Sequence, residues 1–300
     1  MKKYTWDYLC EGAEFFHLDR HKFNEFEKFF HLLDHEIFAA AAEKTLTEDI
    51  EPFLDKNFSE DEKFKLRLLL ASANFETIIS LYRSKSYPGY MLDEISHDLA
   101  LWMEKMESDF GHWGLTERIF DWIKCQITGE VKQFGRLQCN DIHFFEPHCT
   151  FTADGNSVSH GDPCINLHIP AAGPLEIADC LKSLQAMVDF SHKFNPDFDY
   201  KAIVCYSWLL DAQFKKLLPA SSNIIKFQGL GHNFTLHEVN QDQEVLWRLW
   251  DEKTAQKPLS EIICKTSLQK NVIKFLQNGG HFYEGCLVIF RDELKNLLKK

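Results

Sequence analysis

The spacing of apolar residues changes near residue 130, and this change constrains the fold more than any single motif. Before it, Phe23, Phe26, Phe30, Leu33 and Ile37 recur at three- and four-residue steps, which places them on one face of a helix. Similar spacing recurs over Leu68–Tyr82, Ile95–Trp102 and Thr116–Ile127. No stretch in this part alternates as a strand does, so the sequence predicts an all-α domain over residues 1–130.

After Thr128-Gly129-Glu130 the pattern becomes one of short strand-like runs separated by turns and amphipathic stretches. Asp154-Gly155-Asn156 is typical of a hairpin turn, and Leu175–Phe194 has the spacing of a long helix. The other predicted elements are strands within Val131–Phe145 and over Cys164–Ile169, Tyr200–Tyr206 and Phe282–Phe290, helices over Ala212–Leu218 and Leu259–Gln277, and a second hairpin from Ile224–Phe227 and Asn233–Val239. This alternation predicts a mixed α/β domain over residues 131–300, and the chain as a whole is expected to be α+β.

The charge of the chain limits the kinds of partner it can have. Residues 1–130 hold 15 Lys and Arg against 26 Asp and Glu, whereas residues 131–300 hold 18 against 19. A nucleic-acid-binding protein needs a basic face, and neither part has an excess of basic residues. No apolar run approaches the roughly 18 residues of a membrane helix, and no secretory signal precedes Asp7. We therefore expect a cytoplasmic protein that binds neither nucleic acid nor a membrane.

Cysteine and histidine patterns give no firm metal or disulfide site. The nine cysteines are widely spaced without a Cys-x-x-Cys pair, which indicates free thiols in a reducing compartment. The pairs His17/His21 and His31/His35 have the spacing of ligands on a helix, but Leu follows the first His of each pair, where a zinc protease has Glu. A second set, without the spacing of a zinc site, consists of His143, His148, Cys149, His160, Asp162, Cys164 and His168. We expect hydrogen-bonded histidines and no metal cofactor.

The segment from Ile165 to Leu184 carries the strongest sign of a ligand site, because a strand is followed by a short glycine-containing loop and a long helix. The start of a helix presents unpaired N–H groups and the positive end of its dipole, which suits a phosphate. Gly173 permits close approach to the backbone, whereas Glu176 and Asp179 would repel a pyrophosphate. A plain connection between strand and helix has the same composition, so both interpretations stand.

Two further residues have the setting of functional ones. Ser207 follows a strand and precedes a helix, but it lacks the flanking glycines of a hydrolase nucleophile, which favours a capping role. Arg136, in the run Phe134-Gly135-Arg136-Leu137-Gln138, is either a buried ion-pair partner or a clamp on a ligand.

Several segments of the second half occur together in one known family. In order they are Phe134–Gln138, Ile165–Pro170 with Gly173-Pro174-Leu175, Ser207–Asp211, Leu218-Pro219, Ser222-Asn223-Ile224 with Phe227, Thr266–Gln269 and Gly279-Gly280. As an ordered set they resemble a bacterial family of acyltransferases that joins a helical N-terminal domain to a GNAT-like C-terminal domain. The resemblance implies a helical domain over residues 1–130 and a GNAT-like acyltransferase domain over residues 131–300.

The same resemblance implies how a cofactor would bind. In GNAT proteins a central strand splays from its neighbour to admit the pantetheine arm of acyl-CoA, and the loop after it wraps the pyrophosphate. Here the strand is Ile165–Ile169 and the loop Pro170–Leu175; Gly173 matches the family's Q/R-x-x-G-x-G/A pattern, whereas the leading Gln or Arg is missing. The residues expected to bind acetyl-CoA or another acyl-CoA are Leu167, Ile169, Ala171, Ala172, Gly173 and Leu175.

Direct acyl transfer to an amine needs a base for the ammonium proton and an acid for the leaving thiolate. We expect His168, at the end of the candidate strand, to be the base. The alternative is a structural role, in which its side chain holds the loop. Tyr206, beside the end of the next strand, is expected to be the acid. An acidic N-terminal domain would favour a cationic small-molecule or peptide amine. Two other functions remain open: a catalytically inactive GNAT-like module that binds a small ligand or a protein partner, and a metal-dependent hydrolase that uses the histidines.

Overall fold

The computed structural model describes residues 4–146 and 149–299, so His148 lies outside the described residues. The chain divides into two compact units, Met1–Gln133 and Phe134–Lys300. Within the described ranges no helix is both long enough and apolar enough to cross a membrane. All nine cysteines are free, and six of them are buried.

The first unit is helical up to Ile127, as its apolar spacing predicts. Its helices are α1 (Trp6–Phe15), α2 (Arg20–Asn24), α3 (Glu27–Leu32), α4 (His35–Lys44), α5 (Glu51–Asn57), α6 (Glu60–Ala73), α7 (Phe75–Ser84), α8 (Gly89–Ser96), α9 (Asp98–Phe110) and α10 (Glu117–Ile127). The apolar stripe from Phe23 to Ile37 does not form one helix, because α2 ends at Asn24 and the side chain of Asp34 accepts backbone N–H groups at the start of α4. Three short helices therefore share the stripe.

Helix α6 lies at the centre of this unit, and Leu66 and Leu69 on it are fully buried. Gly12 of α1 packs against the backbone of Ser72, where an added Cβ would lie 2.0 Å from the carbonyl oxygen. Only glycine fits such an approach. The core of this unit is thus built around a close crossing of α1 and α6.

The second unit contains a mixed sheet with helices. Its strands are β1 (Lys132–Phe134, which spans the boundary between the units), β2 (Leu137–His143), β3 (Thr150–Ala153), β4 (Asn156–Ser159), β5 (Pro163–His168), β6 (Ala202–Ser207), β7 (His232–Asn240) and β8 (Tyr283–Phe290). Its helices are α11 (Ile177–Phe194), α12 (Phe214–Leu217), α13 (Asn223–Gln228), α14 (Asp242–Leu249), α15 (Glu252–Ala255), α16 (Ser267–Gln277) and α17 (Arg291–Leu297).

Six strands form one sheet in the order β1-β2-β5-β6-β8-β7, and β3 and β4 form a separate hairpin around the predicted Asp154-Gly155 turn. Strands β5 and β6 are parallel, whereas β2 with β5, β6 with β8 and β7 with β8 are antiparallel. The hairpin covers part of one face of the sheet, where Phe151 stacks on Phe234 and Phe290 at centroid distances of 5.0 and 6.2 Å.

Three predicted elements of this unit are corrected. The first arm of the second hairpin is wrong, because residues 223–228 form α13, whose start is capped by Ser222, and β7 pairs with β8. The helix predicted from Leu259 begins only at Ser267, where Thr266 and Gln269 form a capping box. Helix α11 begins at Ile177, two residues later than predicted.

Candidate functional site

Strands β5 and β6 separate at one end of the sheet. Their parallel register runs from Cys164 opposite Ala202 to Leu167 opposite Cys205, where it ends. Beyond that point β6 continues to pair with β8, as far as Ser207 opposite Gly285. The end of β5 thus leaves its neighbour at His168, which is the local geometry that a splayed pair of strands requires.

The loop after β5 is held from behind by Arg136. Its guanidinium donates hydrogen bonds to the carbonyl oxygens of Pro170 (2.9 Å), Gly173 (3.1 Å) and Pro174 (2.9 Å). No described carboxylate is paired with Arg136, so its charge is shared with carbonyl dipoles alone. Of the two roles considered for Arg136, the ion pair is therefore wrong, and the residue positions the loop. The sequence gives no sign of this, since Arg136 lies more than 30 residues before the loop.

With its carbonyls turned to Arg136, the loop exposes the residues predicted to bind a cofactor. Ala171, Ala172 and Gly173 are exposed, and Gly173 has a φ of 73°, in the left-handed region that favours glycine. Leu167 and Leu175 are instead buried and Ile169 is half-buried. Those three residues can contribute backbone groups to a ligand, whereas their side chains belong to the packing.

The start of α11 has no side-chain cap. The carboxylate of Glu176, the residue before the helix, accepts a hydrogen bond from the Asn223 side chain at 2.8 Å and so is directed to α13. Asp179 in the first turn is paired with Lys182 at 2.8 Å. Neither carboxylate therefore accepts hydrogen bonds from the first N–H groups of the helix, which remain suited to an anion.

His168 belongs to a polar group that joins β2 and β5. Its Nε2–H donates to Oδ1 of Asn140 at 2.8 Å, since that oxygen can only accept. The amide nitrogen of Asn166 donates to the same oxygen at 3.4 Å. Burial lowers the pKa of His168 to about 4. The imidazole is therefore neutral at neutral pH.

Tyr206 lies one register position beyond the last β5–β6 pair, on the same face of the sheet as His168. Its ring stacks on Phe145 at a centroid distance of 4.2 Å. Burial, together with Cys286 and Glu146, raises the pKa of its hydroxyl far above the ordinary range. The two predicted catalytic residues are thus brought to one face at the point where the strands separate. Ser207, by contrast, accepts the N–H of Leu209, as a capping residue does.

Three buried polar atoms on this face have no hydrogen-bond partner among the described residues: Gln138 Nε2, Asn166 Oδ1 and the Tyr206 hydroxyl. Gln138 is opposite His168 in the β2–β5 register, and Asn166 is opposite Val204 in the β5–β6 register. Buried polar groups are nearly always satisfied, so a group of unsatisfied ones indicates a place for a polar ligand or water. A ligand here could accept a hydrogen bond from Gln138, donate one to Asn166 and form either kind with the Tyr206 hydroxyl.

Two carboxylates complete the site, and sequence reasoning missed both. Glu284 is the one charged residue of β8, and it lies two residues before Cys286, the register partner of Tyr206. Burial and the neighbouring Glu146 and Glu244 raise the pKa of Glu284, and burial and Glu238 raise that of Glu146. A charge inside the otherwise apolar run Tyr283–Phe290 was the available signal.

The predicted histidine pairs do not form metal sites. Because Asp19 and Asp34 cap new helices, His17 and His21 do not share a helix, and neither do His31 and His35. His31 lies 3.8 Å from Glu27, and His35 packs edge-on against Phe30.

A family model described as a GNAT-like C-terminal domain matches residues 131–289. No curated protein matches the chain. A solved acyltransferase in complex with decanoyl-CoA is similar over 94% of this chain and 99% of its own, with a TM-score of 0.67 and 18% identity. An acyltransferase in complex with decanoyl-CoA and teicoplanin has a TM-score of 0.62 and 18% identity, over 85% of this chain and 76% of its own. At this identity the likeness shows a common fold.

Proposed function

The chain belongs to the family of proteins with a GNAT-like C-terminal domain, and on that premise we propose that it moves an acyl group from acyl-CoA to an amine. The fold predicted from sequence, a helical N-terminal region followed by a GNAT-like domain, is confirmed. The observation that carries the proposal is the end of the β5–β6 pairing at Leu167 and Cys205, directly before the loop that Arg136 holds.

In this proposal the diphosphate of acyl-CoA lies against the exposed loop residues Ala171, Ala172 and Gly173 and the start of α11, where no described side chain caps the helix. The unpaired charge of Arg136 behind the loop favours the same anion. The pantetheine arm runs into the gap after Leu167, where backbone groups of β5 are free of β6. The neighbours solved with octanoyl- and decanoyl-CoA support an acyl-CoA as co-substrate.

The thioester carbonyl then lies near the group formed by His168, Tyr206 and Glu284. The acceptor ammonium first loses a proton, and the free amine nitrogen attacks the carbonyl carbon. The carbon–sulfur bond breaks, the thiolate takes a proton from the Tyr206 hydroxyl, and the resulting phenolate takes up the second proton of the nitrogen as the amide forms. The proton lost first passes to His168 or to Glu284. His168 is neutral and so able to accept it, but a pKa of about 4 makes it a weak base. The raised pKa of Glu284 makes that carboxylate the stronger of the two.

The acceptor in this proposal is a cationic amine. Glu146 is 9% exposed, and within the part of the chain that the structure describes neither its carboxylate nor that of the half-buried Glu284 has a side-chain partner. A buried carboxylate without a cation is unfavourable, so an ammonium group would relieve both. The unsatisfied oxygen of Asn166 offers the same ammonium a further acceptor. The neighbour solved with teicoplanin, a glycopeptide, supports an acceptor of peptide-like type.

The test is a ligand titration of the full chain in reducing buffer, read by thermal unfolding. Decanoyl-CoA and acetyl-CoA should raise the midpoint, because a ligand at 100 times its Kd stabilises the folded state by about 2.7 kcal/mol, which is roughly 5–10 °C for units of this size. ADP, which lacks pantetheine, should have a much smaller effect. No shift with either CoA ester at millimolar concentration contradicts the proposal. If a CoA ester raises the unfolding midpoint but no free CoA thiol is released when amines are added, the result would favour the inactive binding module instead.

A further inference from the structure

Three side chains of the helical unit meet at its surface. One ligand atom from each of His17, Asp93 and His97 lies within 4.8 Å of the other two, and all three residues are exposed. His17 follows the end of α1, whereas Asp93 and His97 are four residues apart at the end of α8. Two imidazoles and a carboxylate are ligands that Zn²⁺ and neighbouring transition metals take from proteins.

The backbone holds His17 in an unusual conformation. Its φ is 55°, in the left-handed region where glycine is the favoured residue. The N–H of His17 donates to Glu14 at 3.0 Å, and the N–H of Leu18 donates to Ala13 at 2.9 Å, so this turn closes the end of α1. This turn places the His17 side chain beside the end of α8, where it contacts Ser96 and His97.

The hydrogen bonds of His97 leave a nitrogen suited to a metal. Its Nδ1–H donates to the backbone carbonyl of Asp93 at 2.8 Å, because a carbonyl oxygen can only accept. The lone pair is then on Nε2. Metal-binding histidines usually donate their other N–H to a carbonyl or carboxylate in this way, which fixes the ring and its tautomer.

The imidazoles of His17 and His97 lie close together at the surface of this unit. Their rings stack with centroids 3.5 Å apart and 19° between the planes. Asp93 supplies the negative charge, with Oδ1 3.9 Å from Nε2 of His17.

We propose that His17, Asp93 and His97 bind a divalent transition-metal ion, with Zn²⁺ as the best match, and that the ion ties the end of α1 to the end of α8. Ligand bonds of about 2 Å place tetrahedral ligands about 3.3 Å apart, so the two exposed rings rotate out of their stack to turn their lone pairs to one ion. The Ser96 hydroxyl donates to the Asp93 carbonyl, so the Nε2–H of His17 donates to the Ser96 oxygen at 3.0 Å; binding through Nε2 moves that proton to Nδ1 and replaces this hydrogen bond. Ser96 keeps its bond to the Asp93 carbonyl at 2.7 Å. Water takes the fourth position.

The test is a zinc titration of the full chain, by calorimetry and by thermal unfolding, in a phosphine-reduced buffer. The unmodified chain should bind one more zinc ion than the double variant His17→Ala/His97→Ala, since the nine free cysteines contribute equally to both. Zinc should raise the unfolding midpoint of the unmodified chain and not that of the double variant. His21→Ala removes another exposed histidine four residues from His17 and should leave both results unchanged.

A second variant separates a loss of zinc binding from a loss of folding. Asp93→Asn keeps the shape of a side chain that is 72% exposed, and it should lower zinc affinity at least tenfold while the metal-free midpoint stays the same. Co²⁺ should give the visible absorption of a tetrahedral ion in the unmodified chain and a weaker band in the double variant. Equal zinc stoichiometry, equal midpoints and equal Co²⁺ spectra in the two chains overturn the proposal.

Discussion

Replacing Arg136 by methionine tests whether the loop after β5 must be held in shape to bind acyl-CoA. Methionine keeps much of the side-chain volume and removes three hydrogen bonds, to Pro170, Gly173 and Pro174. It also removes a positive charge that no described carboxylate neutralises. The loop should then sample other conformations in the free protein.

The magnitude follows from these contacts. A hydrogen bond from a charged donor contributes about 1.5–3 kcal/mol when it is buried, but the bonds to Gly173 and Pro174 lie at the exposed rim and contribute less. We take about 2 kcal/mol for the three together. Without these hydrogen bonds the loop must be ordered when the ligand binds, which weakens binding by the same free energy. At 1.4 kcal/mol per tenfold change, the Kd for decanoyl-CoA should rise roughly 30-fold.

The assay is calorimetric titration with decanoyl-CoA, and the matched control is Lys182→Met. That variant removes one positive charge from the start of α11, near the loop, but its side chain is 77% exposed and contacts only Asp179 by an ion pair. We expect a change of less than threefold for the control and an intermediate loss for Arg136→Lys, because an ammonium cannot reach three carbonyls in a fixed fork. An Arg136→Met protein that binds as tightly as the control would refute the reasoning.

Four other substitutions test the site and the fold. His168→Ala and Tyr206→Phe should each lower turnover about 100-fold with unchanged Kd for decanoyl-CoA; full turnover would remove both roles. Glu284→Gln should lower turnover and raise stability at pH 8, because the raised pKa of Glu284 means that its native-state stability is lost as pH rises through that pKa. The gain should vanish below about pH 4.3 and be absent in exposed Glu261→Gln. Gly285→Ala places a Cβ 2.3 Å from the Leu210 backbone and should destabilise the fold by about 3 kcal/mol, whereas Gly89→Ala, with open space, should not.

The sequence predicted the fold where the hydrophobic pattern was long and regular. The helical character of the chain before residue 130 was predicted, although Leu68–Tyr82 spans α6 and α7 and Ile95–Trp102 crosses from α8 into α9. The strand, loop and helix from Pro163 to Phe194 lie close to their predicted positions. Short apolar runs were ambiguous, because the β-branched Ile224 and Ile225 suit a strand. In the structure they lie in a helix, whose start is stabilised by the Ser222 hydroxyl accepting the N–H of Ile225. The end of α2 at Asn24 and the cap at Asp34 likewise divide a stripe that periodicity alone predicts to be continuous.

The site was harder to predict than the fold, because it depends on contacts between distant parts of the chain. His168 and Tyr206 could be placed near each other from the order of the strands. Arg136 could not be given its role, since only the β2–β5 pairing brings it under the loop at Pro170. The raised pKa of Glu284 depends on burial and on Glu146, which lies 138 residues earlier in the chain.

Hydrogen–deuterium exchange of the full chain, with and without decanoyl-CoA, tests most directly whether acyl-CoA lies between the separated strands. Ala171, Ala172, Gly173 and Leu175 have exchangeable amides in the loop, and we predict slower exchange there and at the start of α11 when the ligand is bound. Protection confined to other segments, or no protection anywhere at millimolar decanoyl-CoA, would contradict the account.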